Sequence, residues 1–86
     1  MTTTTYRLAS DPMIYAPGFV AFAINGARFG DIAPMARLIA GGWDIPLHAA
    51  RQLVTGTVPY TIEDEIVVFT AKDPRKRAER KDALDL

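Results

Sequence analysis

Residues 31–56 read DIAPMARLIAGGWDIPLHAARQLVTG, a segment that contains the chain's helix signals. Asp31 and Asp44 are typical helix N-cap residues, and each is followed shortly by a proline, which the first helical turn tolerates. Glycines end both apolar stretches, at residues 41–42 and at Gly56. The sequence therefore predicts two short helices, joined by a turn that contains Trp43.

The apolar residues of this stretch recur every three or four positions, the spacing that lines one face of a helix. They predict an inward stripe on each helix: Ile32, Met35, Ala36 and Ile39 on the first, and Leu47, Ala50, Leu53 and Val54 on the second.

Strand signals lie on both sides of the helices. Residues 3–9 are β-branched and aromatic and predict a first strand. Residues 19–24 are apolar on both faces, which favours a buried central strand, and the Asn25-Gly26 pair favours a hairpin turn into a short return strand over 27–29.

A second hairpin is predicted after the helices. Residues 57–62 and 66–70 are strand-like and flank an acidic tip, Glu63-Asp64-Glu65. Pro59 lacks a backbone donor, so the first of these strands should lie at an edge or start late. The apolar residues 66–69 suit a central strand.

Together these signals predict an α+β fold, with two short helices packed on a small, mainly antiparallel sheet of about four strands, in the order β-β-α-α-β-β. We expect a single domain over residues 1–71 and a charged C-terminal tail over 72–86. That tail has no core stripe and is either frayed helix or disordered.

Composition limits the function classes. The chain has 86 residues and no cysteine, so a thiolate metal site and a disulfide framework are excluded and a reducing cytoplasm is expected. Residues 1–5 do not form a signal peptide, and the longest apolar run, 19–24, is too short to cross a bilayer. Because so small a core has little surplus stability, a homodimer is also expected.

No set of catalytic residues emerges. The chain contains one histidine, His48, and no second zinc ligand to go with it. Ser10 lies in a predicted turn beside Asp11, where local hydrogen bonding is its expected role. The acidic tip is better explained by protection against edge pairing than by cation binding. We therefore expect no enzyme, no cofactor and no metal site.

Residues 49–60, AARQLVTGTVPY, resemble the end of the recognition helix and the start of the wing in excisionase-like DNA-binding proteins. The resemblance implies a winged helix whose second helix enters the major groove. It would present His48, Arg51 and Gln52, assisted by the basic run Arg75, Lys76 and Arg77. Electrostatics oppose this hypothesis, because Arg51 is the only charged residue of the helix and an acidic wing tip would repel phosphate.

The other hypothesis is a protein-binding inhibitor. Aromatic residues on loops are typical interface anchors, and two arginines could contact an acidic partner; the predicted anchors are Trp43, Tyr15, Tyr60, Arg28 and Arg37. The competing role for Trp43 is to fill the gap between the helices and the sheet.

In size, lack of cysteine, and a compact body with a charged tail, the chain resembles small phage and mobile-element proteins of the anti-CRISPR kind. The resemblance implies an inhibitor of a bacterial protein complex that handles nucleic acid, such as a CRISPR effector subunit, acting in the host cytoplasm. The sequence favours this inhibitor, with the winged-helix DNA-binding protein as the alternative.

Overall fold

The structure, a computed structural model, describes residues 2–74. The predicted tail over 72–86, including Arg75, Lys76 and Arg77, lies almost entirely outside the described residues. In chain order the elements are strand β1 (Thr3–Leu8), helices α1 (Ala16–Arg28), α2 (Ile32–Trp43) and α3 (Leu47–Val54), and strands β2 (Tyr60–Glu63) and β3 (Ile66–Lys72).

The three strands form one antiparallel sheet in the order β1-β3-β2. Phe69 in the centre pairs with Tyr6 on one side and Tyr60 on the other. The α+β class, the antiparallel sheet and the central place of residues 66–69 are confirmed. The four-strand sheet and the β-β-α-α-β-β order are wrong, because the described residues form three strands and three helices in the order β-α-α-α-β-β.

The difference lies in residues 16–28, where the predicted central strand and its hairpin are replaced by α1. Four of its five buried residues are spaced three or four apart, which is a helical period: Ala16, Val20, Ala23 and Ala27. A Cβ added at Gly26 would lie 2.7 Å from Met35 Sδ, so this glycine permits a close approach of α1 to α2 and does not form a turn. The sequence prediction assigns these small residues to a strand, but in the structure they form a closely packed face of α1.

Helices α2 and α3 are found where the sequence predicts them, with different ends. Helix α2 continues through the glycine pair to Trp43, and Asp44, predicted as the N-cap of the next helix, adopts a left-handed conformation (φ 54°) as the C-cap of α2. Pro46 occupies the N-cap of α3. The inward stripes are confirmed except at Leu47, which is 45% exposed because it lies at the first position of α3.

The predicted hairpin is confirmed. Strand β2 begins directly after Pro59 and forms an edge of the sheet. Asp64 and Glu65 make the turn, with φ of 54° and 65°. Positive φ at both central residues is the geometry of a type I′ turn, which matches the twist of the two strands.

The core lies between the sheet and the three helices. Its largest fully buried side chains come from every layer of the molecule: Leu8 from β1, Val20 from α1, Ile39 from α2, Leu53 and Val54 from α3, and Val67 from β3. Within residues 2–74, no helix is long and apolar enough to cross a membrane.

Candidate functional site

Helix α3 and the short segment after it border an open groove of about 400 Å³. The groove is lined by polar side chains: His48, Arg51, Gln52, Thr55 and Thr57. The structure therefore brings together the three α3 residues that the sequence predicts as DNA contacts. Of these three, Arg51 is the exposed residue, while the other two are half-buried.

The α2–α3 connection is short. Asp44, Ile45 and Pro46 join the helices, and the N–H groups of Asp44 and Ile45 both donate to the Ala40 carbonyl. Ile45 also packs against the core. The element order is therefore two helices joined by three residues, then, after five intervening residues, an antiparallel hairpin, which is the order of elements in a helix-turn-helix followed by a wing.

The Gln52 side chain is hydrogen-bonded to the protein backbone. Its side-chain nitrogen donates to the carbonyl of Lys72, and its side-chain oxygen accepts from the Lys72 N–H, both at 2.8 Å. Since β2 ends its pairing at Phe69, the amide takes the place of a neighbouring strand at the end of β3. This use leaves little of its hydrogen-bonding capacity for an outside ligand.

His48 faces the segment that follows β3. Its Nε2 lies 4.0 Å from Asp73 Oδ1, and the two side chains are 33% and 26% exposed. Asp73 in turn accepts hydrogen bonds from the hydroxyls of Thr2 and Thr4 at 2.9 Å. His48 Nε2 itself is buried and has no hydrogen-bond partner among the described residues. The His48 side chain therefore forms part of the wall of the groove.

The acidic tip of the hairpin is remote from this groove. The Ser10 hydroxyl donates to the carbonyl of Glu65 at 2.7 Å and accepts from the Ala16 N–H, which ties the tip to the start of α1. Gln52 contacts the other end of β3. Six steps of about 3.3 Å along β3 separate these ends by roughly 20 Å. This exceeds the Debye length of about 8 Å at physiological ionic strength.

Trp43, a predicted interface anchor, is half-buried. Its indole N–H donates to the Ala9 carbonyl at 2.9 Å, and its ring lies 5.4 Å from that of Phe19. The side chain thus joins the end of α2 to the loop after β1 and to α1. This contact corresponds to the gap-filling role that the sequence left open for it.

Two of the other predicted anchors lie at opposite ends of α1. Tyr15 is 58% exposed at the start of α1, whereas Arg28 ends the same helix, about 20 Å away along its axis. Arg37 is exposed on α2. Tyr60 is half-buried on β2 and packs against the core.

Sequence reasoning missed three exposed apolar residues near or on α1. Met13 is 89% exposed, Phe22 57% and Phe29 81%. Because residues 19–24 were interpreted as a doubly covered strand, Phe22 was placed in the core. The helical spacing of Ala16, Val20, Ala23 and Ala27 was the sequence signal that could have predicted an exposed Phe22.

Among residues 2–74, no group of three or more histidine and acidic side chains is placed to hold a metal ion. Comparisons with protein-family models, with curated proteins and with solved structures find no match to this chain.

Proposed function

We propose that this protein is a DNA-binding protein of the helix-turn-helix kind, with α3 as the helix that faces the major groove. The observation that carries the proposal is the exposed Arg51 beside an open polar groove, on a short helix joined to α2 by three residues. Arginine is the side chain best suited to bidentate contact with guanine in the major groove.

Two further sources of positive charge follow α3 in the sequence. Lys72 ends β3 and is exposed, and its backbone is held by Gln52 of α3. In the sequence, the basic run Arg75, Lys76 and Arg77 begins directly after Pro74.

The acidic tip does not count against this proposal. Its separation from the Gln52 end of β3 means that phosphates engaged by α3 are screened from the three carboxylates. The hairpin is thus not proposed to insert into DNA beside the helix, as a wing does in the excisionase-like proteins that residues 49–60 resemble. The base of the hairpin, at Lys72, supports α3 instead.

A test is selection of bound duplexes from a pool of random sequences, using the full chain. We expect enrichment of a short motif, because a bidentate arginine discriminates between bases by about 1–3 kcal/mol. Arg51→Glu should abolish enrichment. Arg7→Glu, the same charge change at an exposed position of β1, should leave the motif unchanged.

The second candidate is the inhibitor of a bacterial nucleic-acid-handling complex. The observation that favours it is the charge of the described residues, where acidic side chains outnumber basic ones and Ile62, 53% exposed, lies beside the acidic tip. Such a tip suits a basic protein surface. Capture of partners with wild-type bait and with a bait carrying Glu63→Gln, Asp64→Asn and Glu65→Gln tests it: a partner lost only with the second bait supports the inhibitor.

A further inference from the structure

Helix α1 carries an apolar face that no other described element covers. Five positions spaced three or four apart form one stripe along the helix: Tyr15, Gly18, Phe22, Asn25 and Phe29. The three aromatic side chains are 58%, 57% and 81% exposed, respectively. No charged residue occurs in the sequence between Asp11 and Arg28, so the stripe is electrically neutral.

The stripe is large for a chain of this size. A fully covered Phe or Tyr side chain buries about 150–250 Å². At the observed exposures, the three aromatic residues and the neighbouring Met13, 89% exposed, offer roughly 500 Å². A stable interface buries about 800 Å² on each partner. The stripe therefore supplies more than half of such an interface before the small residues between the rings are added.

The arrangement of the stripe is symmetric about Phe22. Tyr15 precedes it by seven residues and Phe29 follows it by seven, with the small residues Gly18 and Asn25 between. A surface with this pattern is complementary to itself when turned by a two-fold rotation, which is the requirement for a symmetric dimer.

We propose that the α1 stripe is the contact between two copies of this chain, with the two α1 helices antiparallel and a two-fold axis at Phe22. In that arrangement Phe22 meets the partner's Phe22, and Tyr15 meets the partner's Phe29. Gly18 leaves room for the Tyr15 ring, which lies against this glycine: a Cβ at Gly18 would be 3.1 Å from Tyr15 Cδ2.

The dimer and the proposed DNA contact use different residues. The groove beside α3 is lined by residues 48–57, none of which belongs to the stripe. The dimer would present two α3 grooves, which suits a two-fold DNA site. The inference does not depend on the proposed function, since oligomeric state is measured without DNA.

The test combines mass and cross-linking on the full chain. Sedimentation equilibrium should give twice the 9.4 kDa chain mass for the wild type and a single chain mass for Phe22→Glu. Ile62→Glu, a matched change at an exposed apolar residue of β2, should remain a dimer. Circular dichroism of both variants checks that the fold survives.

The absence of cysteine makes cross-linking specific. Phe22→Cys should form a disulfide-linked dimer on mild oxidation, because its thiol lies on the axis. Tyr15→Cys alone should not, since two copies would lie about 20 Å apart, but a mixture of Tyr15→Cys and Phe29→Cys chains should cross-link.

A wild-type chain that stays monomeric at high micromolar concentration would overturn the proposal and leave the stripe to a different protein. A dimer unaffected by Phe22→Glu would overturn it as well, because the contact would then lie elsewhere. Efficient self-linking of Tyr15→Cys would also overturn it, because the two helices would then be parallel.

Discussion

Gln52 of α3 makes two hydrogen bonds, each 2.8 Å long, to the backbone of Lys72 at the end of β3. Beyond Phe69, strand β3 has no β2 residue beside it, so this amide satisfies both backbone groups of Lys72. The contact fixes α3 against the sheet, and it does so at the end of the sheet remote from the hairpin tip.

Gln52→Ala should therefore lower the free energy of unfolding by about 1–3 kcal/mol, because it leaves a backbone N–H and a carbonyl without their partners. Urea unfolding followed by circular dichroism measures this loss. Gln52→Glu should cost a similar amount, since a carboxylate cannot donate to the Lys72 carbonyl. Full stability of Gln52→Ala would contradict the role assigned to this side chain.

The helical conformation of α1 predicts effects of substitution that differ from those expected for a strand over the same residues. In the helix, Val20 is buried and Ala21 is exposed. Val20→Asp should cost more than about 3 kcal/mol, because it buries a carboxylate without a partner, and Ala21→Asp should cost less than about 1 kcal/mol. Thermal unfolding compares the two. Equal and severe loss in both variants would mean that residues 19–24 are covered on both sides.

The turn of the hairpin offers a gain in stability. Asp64 and Glu65 both have positive φ, which costs an L-residue other than glycine, asparagine or aspartate up to about 1–2 kcal/mol. The pair Asp64→Asn and Glu65→Gly supplies the preferred type I′ residues and should raise the unfolding free energy by about 1 kcal/mol. The measurement is the melting temperature. A decrease would show that Glu65 contributes more through its side chain than its conformation costs.

The same double variant also removes two acidic side chains from the tip. Because the tip lies roughly 20 Å from the Gln52 end of β3, DNA affinity at physiological salt should change by less than about twofold. A tenfold gain in affinity would place the tip close to phosphate, and would contradict the separation described here.

The sequence predicted α2, α3 and the hairpin from the helical spacing of their apolar residues and from Pro59 before an edge strand. The predicted helix ends were less accurate, because Gly41 and Gly42 lie inside α2 and Asp44 is its C-cap. The sequence prediction failed at residues 19–24, where a short run of apolar residues has no period that separates strand from helix. The packing of Ala23 and Ala27, and the approach of Gly26 to Met35, show that these residues form a helix.

For the candidate site, the sequence identified His48, Arg51 and Gln52 as neighbours but assigned them equal roles. The contacts that separate the three residues come from distant parts of the chain. Lys72 occupies the Gln52 amide, and Asp73 lies beside His48, whereas Arg51 remains exposed. Helix periodicity predicts which residues share a face, but it does not show which of their side chains already contact other parts of the chain.

Arg51 is therefore central to the proposed function. If the five basic residues Arg51, Lys72, Arg75, Lys76 and Arg77 each neutralise one phosphate, the slope of log K against log salt should be about −4.5 for one chain. Arg51→Gln should reduce its magnitude by about 1 and weaken binding. Isothermal or anisotropy titrations at several salt concentrations give this slope. A slope near zero would mean that the interaction is not with phosphate.

Fluorescence anisotropy of a labelled DNA duplex, titrated with the full chain at low and at physiological salt, tests the proposed DNA binding. Saturable binding should weaken steeply with salt, be lost in Arg51→Glu and be retained in Arg7→Glu. Absence of binding at micromolar protein in low salt, or equal binding by the two arginine variants, would contradict it.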